Sequence, residues 1–548
     1  MMYLYFFVIL ALYKGLITWK FYTAAGRKAW EAFVPFYNTW VLLQIIERPK
    51  WWIAIYYVPV VDNVMAIIVT YELLHMFKFR KVTYTIFAVL TLGLYLGYLN
   101  YSEPLKLAQR DDSWIKQNLG STVNAILFAI VAATLIRSTT FESYTIPTGS
   151  MEESLLVGDF LFVSKMHYGV RLPITPFTIP LMHNAIIQPK QEIVIEDGRR
   201  TLRMSEPTKT YVDWVQLPYV RLPKITEVQN NDPVVFNYPA DQFHAPIDKK
   251  ENYVKRCVGT PGDSLQLVHK TLYINGQEES LPSRAHRQHL YNVEFSDYPT
   301  DAQLEAFSLE LDLQNLNPDD SPDWRDGNGN TLLLHLRDDL VEELRQSGFV
   351  ASVTPTETYI PSIDSIDIHT TGEYLQSFFP NESSIVADLG GFVNWTYDNT
   401  PAFWVPSEGS TVELNPFNYR MYKHIIEREE GHTLEYADGQ FLLDGSPATE
   451  YTFAQNYYWM MGDNRHNSED SRKWGYVPET HIVGKPVFIW MSLSNFGGDT
   501  FERLRTDRIF TTVNGEGERV HYFWPVIGLI LLYNGFTYMR KKKKKQAA

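Results

Sequence analysis

Apolar residues are distributed unevenly along this chain. They run almost unbroken through Tyr3 to Leu16, Trp51 to Leu74, Val82 to Leu99 and Thr122 to Ile136, with a shorter run at Phe33 to Ile46 and a last one at Tyr522 to Met539. A helix needs about 20 mostly apolar residues to cross a bilayer. Trp51 to Leu74 and Val82 to Leu99 meet that length or come near it, whereas Phe33 to Ile46 is too short and is expected to lie in the interface. The first run lacks the basic start and small-residue cleavage site of a removable leader, so it is read as an anchor. Pro59, Asp62 and Asn63 interrupt Trp51 to Leu74, and a re-entrant path there is an alternative to a straight crossing.

Between Arg137 and Val520 the texture changes to short β-rich runs such as Asp159 to Ser164, Pro233 to Tyr238, Ser264 to Ile274 and Gly484 to Met491, separated by Pro, Gly and Asn turns. The expected fold is therefore a multi-span α-helical membrane region, a mostly β external domain of antiparallel sheets with inserted lobes, and a single C-terminal membrane helix. Its expected boundaries are a membrane region at 1–120, an anchor at 121–137 and the external domain at 138–520. Insertions fall at about 173–225 and 281–427, followed by a membrane helix at 521–540 and a basic tail at 541–548.

Charge orients this arrangement. Arg540 and Lys541 to Lys545 follow the last apolar run at once, which puts that end in the cytoplasm by the positive-inside rule. One crossing then places 138–520 outside, and Thr122 to Ile136 must run outward. Simple alternation of the earlier spans would leave Lys78, Arg80 and Lys81 outside, so their topology stays open. The 548 residues exceed what a single core usually supports. A formal net charge of -14 excludes a basic nucleic-acid footprint. The single cysteine, Cys257, excludes an intramolecular disulfide and a thiolate metal cluster.

Candidate chemistry sits in three segments of the external domain. Ile146-Pro147-Thr148-Gly149-Ser150-Met151, leading into Leu155 to Asp159, can present a serine on a tight turn, although taken alone it reads better as a turn serine capping a strand. Tyr253-Val254-Lys255-Arg256-Cys257 precedes a Pro261-Gly262-Asp263 turn, and period-2 alternation puts Tyr253, Lys255 and Cys257 on one face of a strand. A lysine desolvated there loses proton affinity and becomes a base. Met461-Gly462-Asp463-Asn464-Arg465-His466-Asn467-Ser468-Glu469-Asp470-Ser471-Arg472 reads as a solvated loop or a hydrogen-bonded scaffold.

Together with Asn231-Asp232-Pro233-Val234-Val235-Phe236, these segments resemble, in order, the sequence boxes of bacterial type I signal peptidases. The resemblance implies a serine endopeptidase in which Ser150 attacks and neutral Lys255 is the general base. It also implies an oxyanion hole from the Ser150 N–H and the Thr148 hydroxyl, with Ser468 orienting the lysine and Asp470 and Arg472 supporting the scaffold. Tyr144, Ile146, Pro147, Met151, Leu155, Leu161, Val235, Tyr253 and Val254 match the family's apolar substrate pockets, each of which also reads as ordinary core. Thr148 stands where the family usually has serine and keeps a donor hydroxyl. His466 replaces a common Asp and receives no catalytic role, while Glu152 and Glu153 depart from the usual apolar sequence after the nucleophile.

The implied substrates are exported precursors with small residues before the cut, at a bacterial inner membrane, with an association with the secretion translocase. No cofactor or metal is expected. A catalytically inactive, membrane-anchored binding protein on the same scaffold is the alternative from another class. Ser113-Trp114-Ile115-Lys116 matches an S-x-x-K pattern without its companion motifs. Asp326-Gly327-Asn328-Gly329-Asn330 starts like a calcium loop but has Thr331 and Arg337 where Gly and Glu are required.

Overall fold

A computed structural model describes residues 2–110, 120–179, 182, 185–187, 191–196, 199–205, 207–241, 243, 245–296, 331–346, 348, 350–356, 379–381, 383–494, 503–517 and 519–546. The S-x-x-K segment and the calcium-like loop over 326–330 lie outside the described residues. The chain divides into two compact units, one of Met1–Glu142, Gly169–Lys224 and Asp241–Glu251, the other of Ser143–Tyr168, Ile225–Ala240 and Asn252–Ala548.

The first unit is helical. It comprises α1 (Met2–Ala24), α2 (Tyr37–Ile45), α3 (Trp52–Tyr56), α4 (Val61–Met76), α5 (Val82–Leu90), α6 (Leu94–Ser102) and α7 (Gly120–Thr139). Tyr5–Ala24 is the one helix among the described residues long and apolar enough to cross a membrane, with shorter apolar helices at Ala125–Thr139 and Phe523–Met539. Two expected spans are broken. Trp51 to Leu74 is interrupted around Pro59, where Val60 takes φ 71°, and Val82 to Leu99 turns at Leu92 and Gly93, both left-handed. Glycine permits that turn, and α5 folds back on α6, bringing the Tyr95 ring 5.6 Å from Phe87 and 6.3 Å from Tyr84. At nine residues each, α5 and α6 are about 14 Å long, roughly half a hydrocarbon core.

These hairpins return to a common end. Helices α1 and α6 run alongside in the same direction, with Tyr13 Oη donating to the Leu92 carbonyl at 2.5 Å and the Lys20 N–H donating to Asn100 Oδ1 at 2.9 Å. The chain after α6 closes against the ends of α2 and α4, since Arg110 Nη1 donates to Ile46 O at 2.5 Å and Ala108 N to Met76 O at 2.9 Å. Glu72, buried on α4, pairs with both Arg48 and Arg110. The start of α4 lies elsewhere, with Asn63 Nδ2 donating to Pro176 O at 2.8 Å. Thus Gly169–Lys224, which holds most of the expected first insertion, packs within the helical unit.

The second unit is built on an eight-stranded sheet: β1 (Phe141–Thr145), β2 (Asp159–Ser164), β3 (Pro233–Asn237), β4 (Asn252–Gly259), β5 (Tyr457–Met461), β6 (Val477–Pro478), β7 (Ile482–Ser492) and β8 (Thr511–Thr512). The order is β1-β2-β7-β3-β4-β5-β6, with β8 also on β7. Pairs β2–β7, β7–β3, β3–β4, β4–β5 and β5–β6 are antiparallel. Strand alternation sorts side chains into separate cores. Val234, Phe236, Cys257, Tyr458 and Met460 enter one cluster, whereas Val235 joins Ile146, Met151, Leu155, Leu161 and Val483 in another. Val258, Trp459 and Met461 belong to a third, the largest.

The second expected insertion divides in two. Its first part forms a three-stranded sheet of Gln288–Phe295, Thr331–Arg337 and Val350–Pro355 with its own small core. Its later part, including Phe379, Trp395, Phe403 and α8 (Pro416–Arg428), supplies much of the largest core around Trp459. The C-terminal helix, α9, spans Phe523–Gln546. Trp395 is fully buried, with ring centroids 5.1 Å from Phe403 and 5.9 Å from Trp459. Trp395→Ala is expected to destabilise this unit by about 3–5 kcal/mol in denaturant unfolding, because a cavity that large cannot collapse. A loss under about 1 kcal/mol would show that 379–428 is an appendage, not core.

Candidate active site

The segment between β1 and β2 is a closed loop. Ile146 N donates to Asp159 O and Gly158 N to Ile146 O, both at 2.9 Å, so the loop is pinned at its base. At its tip a single 3-10 turn, Gly149–Met151, carries Ser150, and Met151 N-terminal to the buried Leu155 is anchored in the apolar cluster below. Thr148 precedes the turn in an extended conformation; its side chain is exposed and makes no capping hydrogen bond.

Lys255 lies on β4, opposite Val234 of β3, and is 4 % exposed. Its Nζ donates to Ser150 Oγ at 2.5 Å and sits 5.7 Å from the centre of the Tyr253 ring. Burial is the largest influence on this amine and lowers its pKa from 10.5 to about 8, while the Asp470, Glu469 and Asp463 carboxylates pull upward and Arg472 pushes further down. Below pH 8 the folded state holds a charged, desolvated ammonium at a cost of about 3 kcal/mol. That cost fades as pH rises from about 8 toward 10.5, since the unfolded lysine still binds the proton that the folded one has lost.

Two bidentate ion pairs flank the lysine. Arg472 holds Asp470 through Nε at 2.9 Å and Nη2 at 2.7 Å, and Arg256 holds Asp463 through Nε at 2.7 Å and Nη2 at 2.5 Å; all four side chains are buried. Against burial, which pushes it up, the Arg472 guanidinium keeps the Asp470 carboxyl below the usual range, with help from the Ser468 hydroxyl. An unpaired Asp470 or Asp463 would favour ammonium. Each carboxylate is instead neutralised by its own arginine, and desolvation decides the state of Lys255.

The turn between β5 and Asp470 locks onto the nucleophile loop. Asn464 N donates to the Ser150 carbonyl at 3.1 Å. Gly462 fits between the two, because a Cβ there would stand 2.2 Å from Ser468 Oγ and 2.5 Å from the Ser150 carbonyl oxygen. Ser468 is thus next to the nucleophile's backbone and buried; among the described residues its hydroxyl makes no hydrogen bond to Lys255 Nζ. His466 is bracketed by Leu290 N, which donates to its Nδ1 at 3.2 Å, and by Asp398, 2.9 Å from its Nε2.

Of the residues matched to apolar pockets, Ile146, Met151, Leu155, Leu161 and Val235 form one buried cluster, with Tyr144 and Val254 packed against it. Leu155 and Leu161 have no exposed surface and form its floor; Pro147 is exposed at the rim, and Tyr253 packs against the cluster on the other side of the strand. Sequence reading gave no role to Arg256, Asp463 or Gly462. The signal was present in the charge next to Lys255 and in the Gly-Asp pair ending β5, but which carboxylate meets which arginine requires the register. Among the described residues, no three or more His, Cys, Asp or Glu side chains are grouped to hold a metal ion.

The family described as signal peptidase, peptidase S26, matches residues 119–318 and 418–491, and a family of unknown function, DUF5684, matches residues 30–108. The chain is similar to the signal peptidase I of Haemophilus influenzae, 24% identical over 401 residues that cover 71% of this chain and 74% of the relative. It is also similar to that of Buchnera aphidicola from Acyrthosiphon pisum, 22% identical over 379 residues covering 69% and 77%, and to that of Pseudomonas aeruginosa, 28% identical over 184 residues covering 33% and 46%. With a buried serine–lysine contact at the centre of the matched region, the chain belongs to the signal peptidase S26 family and is a serine endopeptidase that removes signal peptides from exported precursor proteins.

Proposed function

We propose that Ser150 is the nucleophile and Lys255 its general base, a reading carried by the 2.5 Å contact between them in a desolvated setting. With the amine neutral the hydrogen bond reverses, and the Ser150 O–H donates to the Nζ lone pair. As Ser150 Oγ adds to the scissile carbonyl, the proton passes to Lys255, which then delivers it to the leaving amine. The Ser150 N–H and the uncommitted Thr148 hydroxyl face the developing oxyanion, each such donor contributing about 3–4 kcal/mol to the transition state. Asp470 and Arg472 hold the scaffold, and Ser468, packed beside Gly462 and the Ser150 backbone, orients the lysine amine. Small side chains of the precursor occupy shallow pockets walled by Tyr144, Ile146, Pro147, Met151 and Val254 above the Leu155, Leu161 and Val235 floor, with Tyr253 lining the lysine's side of the cleft.

The membrane topology proposed is multi-pass, with the domain over 138–520 external, α9 as a second anchor and the residues after Met539 cytoplasmic. Supporting it, the loops after α2, α4 and α6, which carry Arg48, Lys50, Lys78, Arg80, Lys81, Lys106 and Arg110, converge at the end of α1 that bears Lys20. Hairpins that return to one end keep every one of these cations on the cytoplasmic side. Such a plan sets the chemistry where a precursor's apolar segment stays in lipid, and an association with the translocase would deliver it there.

Lys255→Ala and Lys255→Arg are expected to lower kcat by roughly 10⁴-fold with the fold intact, arginine failing because it stays protonated. For the parent enzyme, kcat/KM should rise with pH through about 8, the direction set by a base active only when neutral. A falling limb over that range, or a working Lys255→Ala enzyme, would sink the dyad. For topology, Cys257 is fully buried and silent, so single cysteines report cleanly. A membrane-impermeant maleimide applied from outside should label Asp438→Cys, at an exposed hairpin turn, and leave Lys81→Cys untouched. Labelling of both from outside would overturn the proposed orientation.

A further inference from the structure

The nucleophile loop and the turn over 462–468 come from distant parts of the chain, and both touch one residue of the second insertion. Gln288 opens the lobe strand Gln288–Phe295 and is 3 % exposed. Its backbone N–H donates to the Asp463 carbonyl at 2.9 Å, and its carbonyl accepts from Arg465 N at 2.8 Å. Its side-chain Nε2 donates to Glu153 Oε1 at 3.4 Å, three residues beyond the nucleophile.

Neighbours reinforce both grips. Arg465 Nη2 reaches the fully buried Glu279 carboxylate at 3.0 Å, and His286 N donates to Ser154 Oγ at 3.3 Å. On the other side of Glu153, Arg337 of the adjacent lobe strand lies 3.7 Å away. Glu153 is itself buried and takes φ 63°, a left-handed backbone that an ordinary side chain adopts only when its surroundings enforce it. Glu153, one of the two acidic residues after Met151 that depart from the usual apolar sequence, is therefore matched to partners that the insertion provides.

We infer that Gln288 is a positioning residue for peptide-bond hydrolysis, through which the insertion sets the nucleophile loop in register with the loop bearing Asp463, Ser468 and Asp470. The inference rests on the Ser150–Lys255 assignment and extends it. Gln288 touches neither reacting atom. It acts by joining the Ser150 side of the site to the side that flanks Lys255, where a displacement near 1 Å is enough to slow catalysis severely. If the join is loosened, water enters beside Lys255, its ammonium is better solvated and its proton affinity rises.

The test uses the full-length chain in detergent and a short peptide with alanine at the first and third positions before the cut. Gln288→Glu sets a carboxylate against Glu153. It should lower kcat roughly tenfold, leave KM within about twofold, and move the midpoint of the kcat/KM rise to higher pH. Exchange of the pair, Gln288→Glu with Glu153→Gln, restores one amide and one carboxylate and should recover most of the loss along with the original midpoint. An unchanged kcat and midpoint in Gln288→Glu would overturn the inference, as would an exchanged pair that unfolds like the parent yet stays as slow as the single variant. If Gln288→Glu does not fold, Gln288→Met keeps the backbone and shape while removing the donor, and a parental kcat there overturns the role equally. Lys255→Ala is run beside them: activity surviving in that variant would remove the dyad, whereas loss there with parental Gln288 variants would remove the positioning role alone.

Discussion

A lysine amine must be uncharged to take a proton from serine, and water opposes that state more effectively than any neighbouring charge. Lys255 is kept from water by β3, β4 and the Tyr253 ring, and desolvation brings its pKa to about 8. Two carboxylates within the same site would undo this if they were free. The Asp470–Arg472 and Asp463–Arg256 pairs set a guanidinium against each of these carboxylates in bidentate geometry, and the remaining upward pull stays smaller than the effect of desolvation. Removing either arginine would leave a buried carboxylate that draws the proton back onto the lysine.

The same pairs are structural fasteners. Asp470 also accepts from Gly462 N at 3.0 Å, and Arg472 donates to the carbonyls of Arg465 and Tyr397, tying the turn after β5 into a rigid loop. Arg256 reaches the Asn231 carbonyl and Ser154 Oγ as well as Asp463, so it spans the start of β3, the nucleophile loop and that turn. Electrostatic neutrality and positional accuracy are thus supplied by one set of side chains. Gly462 is small for the same reason: the loop must approach the Ser150 backbone closely enough for Asn464 N to reach its carbonyl.

Much of this was readable from sequence where chemistry and local pattern coincide. Ser150 on a Gly-flanked turn and Lys255 within an alternating strand, the pair that the family resemblance implies, lie in hydrogen-bond contact, and the change from long apolar runs to short alternating ones marks the passage from helical to sheet structure. The breaks at Pro59 and at Leu92–Gly93 were harder, because apolar composition is the same in a straight span and in a hairpin; only backbone conformation separates them. Gln288 was not readable at all. Its strongest contacts are made by its N–H and carbonyl, which every residue but proline possesses, and its position is set by a lobe fold that carries no motif. Ser468 shows a different limit: a buried hydroxyl can serve the lysine directly or support the backbone around it, and sequence does not distinguish these.

The ladder between β4 and β5 explains how so large an insertion can exist inside a catalytic unit. Trp459 pairs with Gly259 and Met460 with Cys257, so a bulge takes up Val258, whose side chain joins Trp459 in the largest core. The partners that complete the site across this ladder, Arg256 and Asp463, are 207 residues apart in sequence. Closing such a loop is less demanding than its length suggests, since each doubling of a flexible loop adds only about 0.6 kcal/mol. What an insertion must do is bury its own apolar surface and leave the register undisturbed. Here its first part has a private core around Val293 and Leu334, and its second part contributes Phe379, Trp395 and Phe403 to the core beneath β5. The strand that holds the catalytic turn therefore packs on residues that the insertion brings, and the extra lobe has become part of the support for the site that it interrupts.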